Sequence, residues 1–180
     1  MFNFTWNINK NKSFKHYTIF DIKQVLLYAE NKEKTTDENE TTMFVTGVNC
    51  NRDIALVEMI KTQIKFDKTT GNVAYHAYQS FKRGEITPKL AHKIGVELAE
   101  KMFPEHQVLV ATHLNTGTYH NHFVINSVSF KDGKKYYSNL TNTALLRKIS
   151  DEICEEYGLS VLTEKTCKSG INFENFYKKS

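Results

Sequence analysis

The 180-residue chain has little proline, cysteine or tryptophan: two, three and one residue respectively. With two prolines and no glycine- or serine-rich stretch, nothing marks a linker, and one domain of this length can bury a substantial core. The cysteines (Cys50, Cys154 and Cys167) are odd in number and widely scattered, which speaks against a disulfide framework and for a reducing compartment. No CxxC pair is available to hold a structural zinc. No apolar run approaches the roughly 18 residues of a membrane span. The opening MFNFTWNINKNKSF lacks the charged, apolar, then small-residue order of a secretory signal.

What is present is ordinary for a folded domain: hydrophobic residues make up 40% and charged residues 24%, which argues against wholesale disorder. A formal charge of +4 and a pI near 8.8 permit a nucleic-acid partner without demonstrating one. Lysines gather at Lys10, Lys12 and Lys15 and again at Lys131, Lys134 and Lys135, while an acidic stretch through Glu30, Glu33, Asp37, Glu38 and Glu40 offsets them.

Periodicity outlines the elements. Ile22, Val25, Leu26 and Ala29 form a helical stripe, followed by a polar loop, NKEKTTDENETT, and a short strand over 43–48. Asn51 or Asp53 can cap a helix whose apolar positions Ile54, Val57, Ile60 and Ile64 are expected to face inward. Residues 73–81 alternate as a strand, with Val73, Tyr75, Ala77 and Phe81 on one side and Ala74, His76, Tyr78 and Ser80 on the other. Thr87-Pro88 is a cap followed by proline at the first helical position, and it opens a helix carrying Leu90, Ile94, Leu98 and Met102 up to Pro104. Strands over 108–114 and 119–130 flank the turn NTGT, and Asp132-Gly133 marks a second hairpin turn. A last helix over 141–157 directs Leu145, Leu146, Ile149 and Ile153 inward and stops at Gly158. These elements predict an α+β domain: a mostly antiparallel central sheet with helices packed on its faces.

The strongest chemical signal is HLNTGTYHNH. His120 and His122 are two apart on a strand and share a face. If residues 115–118 make a four-residue hairpin loop, His113 lies opposite His120, with directly opposed Cβ atoms about 4.5–5.5 Å apart. Three imidazoles can then converge on one cation at about 2.0–2.1 Å each and leave positions open for substrate. A closed structural site would want a fourth protein ligand, and none is evident nearby, so the pattern favours a working metal.

Over Ala74 to Asn126 the strings AYHAYQSFKRGEITP and VATHLNTGTYHNHFVINS resemble the DNA relaxases of mobilisable plasmids, the MobA/MobL group (MOBP class) of the HUH endonuclease superfamily. Their metal motif, H-x-D-x(n)-H-x-H followed by an asparagine, carries over to His113, His120, His122 and Asn126. Asn115 stands where the family often has an acid. The family's tyrosine motif, Y-x-x-N-P-x-K-T, matches YAENKEKT, which puts Tyr28 at the nucleophile's position and Lys32 where proline is usual. The likeness extends through NRDIALVEM and SDEICEEYGLSVL, over most of residues 17–162.

The resemblance implies a cytoplasmic bacterial enzyme that nicks single-stranded or unwound DNA at an origin of transfer. It implies a reversible 5′-phosphotyrosine, and magnesium or manganese as the ion in use, although three imidazoles also suit zinc. Relaxosome accessory proteins and a secretion coupling protein are the implied partners. The whole chain, 1–180, would be one nicking domain, with 164–180 a tail or the start of a further region.

On an ideal helix Tyr28 falls roughly 110° from the centre of the apolar stripe, off the core face and able to reach over a site. Tyr157 is the competing nucleophile, in the order found in rolling-circle replication initiators, but it ends an apolar stripe and suits core packing. A metal-stabilised DNA-binding module without catalysis is a further alternative. His76 is either a partner of the phosphate or phenol or an ordinary polar strand residue. Glu85 belongs more naturally to the turn before the capped helix. Lys82, Arg83 and the Lys131, Lys134, Lys135 cluster are candidate backbone contacts for DNA.

Overall fold

The computed structural model describes residues 19–37, 43–115 and 117–161. The lysines at 10, 12 and 15, part of the acidic stretch and the expected tail over 164–180 lie outside the described residues. In chain order the elements are α1 (Ile19–Ala29), α2 (Lys32–Thr35), β1 (Val45–Val48), a 3-10 turn (Arg52–Ile54) and α3 (Ala55–Lys65). They continue with β2 (Ala74–Ser80), α4 (Pro88–Met102), β3 (Val108–His113), β4 (His120–Asn126) and α5 (Leu140–Glu156). The strands make one antiparallel sheet in the order β1-β3-β4-β2, the α+β architecture expected, with β3 and β4 in the middle.

Because the central strands are covered on both sides, alternate residues feed two cores. Leu109, Ala111 and Val124 pack with Val45 and Ala74 beneath Ile22, Leu26 and Ala29 of α1 and Ala55 and Met59 of α3. Val110, Phe123, Ile125 and Ala77 pack on the other face against Ile94 and Leu98 of α4 and Leu146 and Ile153 of α5. At 11 residues α1 is too short to be stable alone, so burial of Ile22 and Leu26, about 1.5–3 kcal/mol each, sets where it lies. The Thr87 hydroxyl accepts from Leu90 N at 3.3 Å and Pro88 opens α4, as the sequence indicates.

Several expectations are corrected. The polar loop after α1 contains a helix, α2, because the Asn31 side chain accepts from Glu33 N at 3.0 Å and starts a new turn. Val73 precedes β2 and packs with the α1–α3 core rather than beside Tyr75. The second strand of the histidine hairpin ends at Asn126, not at 130; beyond it Val128 pairs with Lys135 in the small Asp132-Gly133 hairpin. Leu145 on α5 points outward, 45% exposed.

The largest departure is α3. Ile54, Val57 and Ile64 are 48%, 47% and 62% exposed, while Ala55, Met59, Thr62 and Gln63 are buried. A polar anchor overrides the apolar stripe. Gln63 Nε2 donates to the Val73 carbonyl at 3.0 Å and to Asn126 Oδ1 at 2.9 Å. Asn126 Nδ2 in turn donates to Gln107 Oε1 at 2.8 Å and to the Met59 carbonyl at 3.3 Å. Rotating the isoleucines inward would strip these buried groups of their partners, at about 1–3 kcal/mol for each group left unpaired.

Asn126 therefore joins α3 to the end of β4, four residues and about 13 Å along the strand from His122. It does not lie beside the histidines as a metal-supporting residue. Asn126→Ala should lower stability by about 2–3 kcal/mol in denaturant titration. Metal affinity of the folded variant, read by calorimetry, should be unchanged.

Candidate active site

The hairpin places His113 directly opposite His120, with Ala111 opposite His122, so all three rings rise from the α1 side of the sheet. One ligand nitrogen from each lies within 4.8 Å of the others. The ring centroids of His113 and His122 are 4.1 Å apart, and those of His120 and His122 5.0 Å. His122 Nε2 is buried without a hydrogen-bond partner. An orphaned ring nitrogen aimed into a cluster of imidazoles is what a cation would satisfy, and the donor set fits one.

The opposite nitrogen of each ring is engaged, which orients the ligand and selects its tautomer. His113 Nε2 donates to the Ala29 carbonyl at 3.1 Å, and His120 Nδ1 to the Thr118 carbonyl at 3.2 Å. His122 Nδ1 meets His76 Nε2 at 2.9 Å, and the two rings stack with centroids 5.1 Å apart. His76, read from the sequence as a phosphate or phenol partner, thus has its Nε2 turned to a cluster histidine. Burial depresses the pKa of every one of these rings, His113 to about 4 and His122 to about 2, with neighbouring histidines and Lys34 adding to the effect on both. These shifts favour the neutral imidazoles, the form in which a ring nitrogen can bind a cation.

Tyr28 stands at the end of α1, 50% exposed, off the stripe that Ile22, Leu26 and Ala29 bury. Its ring centroid is 5.6 Å from those of both His113 and His122 and 6.5 Å from that of His76. Tyr157 lies across the sheet, against the α4–α5 core, with its hydroxyl donating to Glu97 Oε2 at 3.1 Å. The structure thus brings Tyr28 to the three histidines and keeps Tyr157 away from them.

Other candidates divide by location. Asn115 is exposed in the turn of the hairpin. Lys82 and Arg83 follow β2 at the histidine end of the sheet, where Ser80 pairs with His120, and the Arg83 guanidinium lies beside Gly117 of the hairpin loop. Lys131, Lys134 and Lys135 sit at the other end and are engaged there: Lys131 with Glu105 at 3.3 Å, Lys134 with Asp132 at 2.7 Å, Lys135 with the Thr70 carbonyl at 2.6 Å. They do not form a patch with the histidines. The Glu85 carboxylate accepts from Ser160 N and Oγ at 2.7 and 2.9 Å and belongs to the packing of the chain after α5.

Two residues near the cluster escape sequence reasoning. Lys34 Nζ lies 4.3 Å from the Tyr28 ring centroid, because α2 folds back and the Lys34 carbonyl accepts from Leu114 N at 2.7 Å. Six residues from Tyr28, it would lie on another face of a continuous helix; only the break at Asn31 returns it, and its place in YAENKEKT was the available signal. Tyr78 pairs with His122 across β2 and β4, ring centroids 6.1 Å apart, and alternation on β2 could have singled it out. Lys32 occupies the first turn of α2, where proline also fits, so the departure from the tyrosine motif leaves the helix intact.

Fold and site define a class: an antiparallel-sheet domain with a three-histidine cluster on its central strands and a tyrosine helix over it. The chain belongs to the MobA/VirD2-like relaxases, whose nuclease-domain profile, "Relaxase: MobA/VirD2-like, nuclease domain", matches residues 28–159. It is 47% identical over 116 residues to "Protein rlx" of Staphylococcus aureus, covering 64% of this chain and 37% of that protein. It is 25% identical over 150 residues to "Group II intron-interrupted relaxase LtrB" of Lactococcus lactis subsp. cremoris, covering 66% of this chain and 26% of that protein. The chain thus spans well under half the length of these curated relatives. A solved structure described as "Molecular Basis of Vancomycin Resistance Transfer in Staphylococcus aureus" shares the fold, with a TM-score of 0.56 and 15% identity over 89% of this chain and 96% of that one.

The hydrogen bonding around the cluster yields a graded expectation. His122→Ala should abolish stoichiometric binding of a divalent metal in calorimetry. His76→Ala, which removes only the partner of a ligand, should weaken it by about 10–100-fold.

Proposed function

We propose that this domain nicks one strand of DNA at an origin of transfer, with Tyr28 as nucleophile. The observation that carries the proposal is a half-exposed phenol standing over three neutral, converging imidazoles. Tyr28 Oη attacks the phosphorus of a phosphodiester and gives its proton to solvent on the open side of the site. The bond from phosphorus to the 3′ oxygen breaks, and that oxygen takes up a proton. The 5′-phosphate stays on Tyr28 as an ester, so a 3′-hydroxyl can later reverse the step without an external energy source.

A neutral phenol is a poor nucleophile, and the phosphoryl group gains negative charge as it is attacked. A divalent cation held by His113, His120 and His122 would polarise the non-bridging oxygens and offset that charge. Magnesium or manganese is the ion suggested by the family, and zinc is compatible with the nitrogen donors. His76 keeps His122 in the tautomer that presents Nε2. Lys34 adds a cationic charge beside the phenol, suited to a phosphate arriving there, while Lys82 and Arg83 flank the same end of the sheet and meet the backbone of single-stranded or unwound DNA. A cytoplasmic setting, accessory proteins and a secretion coupling protein complete the proposal.

Incubation of the full chain with a labelled cognate oligonucleotide and divalent metal should leave a protein-linked 5′ end. Tyr28→Phe should abolish the adduct and retain DNA binding, whereas Tyr157→Phe should retain both. An adduct lost in the second variant alone would move the chemistry to Tyr157; binding without any adduct in every metal tried would leave a binding module.

The position of Lys34 can be checked separately. Lys34→Ala should slow adduct formation by about 10–100-fold. It should leave metal affinity equal or tighter, since a cation near the cluster is removed; Lys34→Arg should restore most of the rate.

A further inference from the structure

Behind the histidines, on the face covered by α4 and α5, a row of polar side chains runs through the core. Thr112, Asn121 and Gln79 are direct register partners across β3, β4 and β2, and all three are fully buried. The Thr112 hydroxyl donates to Asn121 Oδ1 at 2.6 Å. Asn121 Nδ2 donates to Gln79 Oε1 at 3.0 Å and to the Ala91 carbonyl of α4 at 2.8 Å, and Gln79 Nε2 donates to Ser150 Oγ of α5 at 2.8 Å. At the other end His92 bridges Thr112 Oγ1 and Thr46 Oγ1 of β1, at 2.8 Å each. Since the Thr112 hydroxyl is spent on Asn121, His92 Nδ1–H donates to Thr112 and His92 Nε2 accepts from Thr46. The row therefore has one consistent direction of donation and ties all four strands to two helices.

Its position relative to the histidines is the informative part. Asn121 lies between His120 and His122, and Thr112 precedes His113, so the polar row falls between the two rows of ligands and points the opposite way. Apolar burial alone does not hold this hairpin in register. A slip of one residue would turn every side chain to the wrong face and is forbidden by the core. A slip of two keeps valines, leucines and alanines on their proper faces, yet it carries His113 away from His120. The polar row opposes that slip beside the ligands themselves, because each buried amide and hydroxyl would lose its partner. Gly95 adds to the specificity: a Cβ there would lie 2.4 Å from Asn121 Nδ2, so α4 is notched to receive this one side chain.

We propose that the Thr112–Asn121–Gln79 row is a register lock for the metal-binding hairpin, with Asn121 the positioning residue at its centre. The inference rests on the metal role of the histidines proposed above. Thr112→Val is the direct test, since it keeps the shape and deletes the hydroxyl, while Thr112→Ser keeps the hydroxyl. Cobalt(II) titration of the full chain, followed by its visible absorption at a temperature where circular dichroism shows each protein folded, reads the site without turnover.

Wild type and Thr112→Ser should agree within about two-fold, and Thr112→Val should bind about ten-fold more weakly with an altered spectrum. Nicking by Thr112→Val should lose kcat at unchanged affinity for single-stranded DNA. A folded Thr112→Val with wild-type cobalt affinity, differing only in melting temperature, would overturn the lock and leave the metal site standing. If Thr112→Val does not fold, Thr46→Val trims only the half-buried end of the row and should weaken binding about three-fold; wild-type affinity there overturns the proposal equally. Failure of wild type itself to bind cobalt would remove the metal site, and the lock with it.

Discussion

The hydrogen bond from His113 Nε2 to the Ala29 carbonyl joins the two parts of the site. Ala29 is the last residue of α1, where helix carbonyls lack partners within the helix, and Tyr28 precedes it. One bond thus satisfies a helix terminus, fixes the tautomer of a cluster histidine and sets the tyrosine ring over the cluster. Without it the helix would still bury Ile22 and Leu26, but its last turn would lose the bond that ties Tyr28 to the imidazoles. The same junction brings in Lys34, because the chain turns at Asn31 immediately after α1 and α2 attaches to the end of β3.

The sheet meets two demands with one alternation. Residues on β3 and β4 that face α1 end in histidines, and residues that face α4 carry the apolar core with a polar row through it. Burial on both sides makes imidazoles on the α1 side neutral and keeps the amides behind them dry. The arrangement places the three-histidine cluster on the two central strands and leaves the half-exposed tyrosine as the group above it that meets solvent.

Much of this was readable from local pattern. The hairpin loop over 115–118 follows from NTGT between two alternating runs, and the pairing of His113 with His120 comes from it directly. The outward position of Tyr28 follows from helical periodicity, and the start of α4 from Thr87-Pro88. In each case the cause lies within a few residues of the effect. The inward face of α3 was not readable, because the apolar stripe through Ile54, Val57 and Ile64 is real but loses to hydrogen bonds between Gln63 and residues 10 and 63 positions away. Asn126 was misplaced for the same reason: a motif gives order along a chain, whereas its side chain is committed to α3 at the far end of the strand.

The amino-acid sequence alone determined most of the elements, the antiparallel hairpin and the three histidines sharing a face, since steric periodicity and turn chemistry are local properties. Tertiary structure decided the rest. It put Tyr28 and Tyr157 on opposite sides of the sheet, turned His76 onto His122, returned Lys34 to the Tyr28 ring, and paired the Lys131, Lys134 and Lys135 cluster with partners at the other end. Those outcomes depend on which buried polar groups find partners, and the partners come from distant segments of the chain.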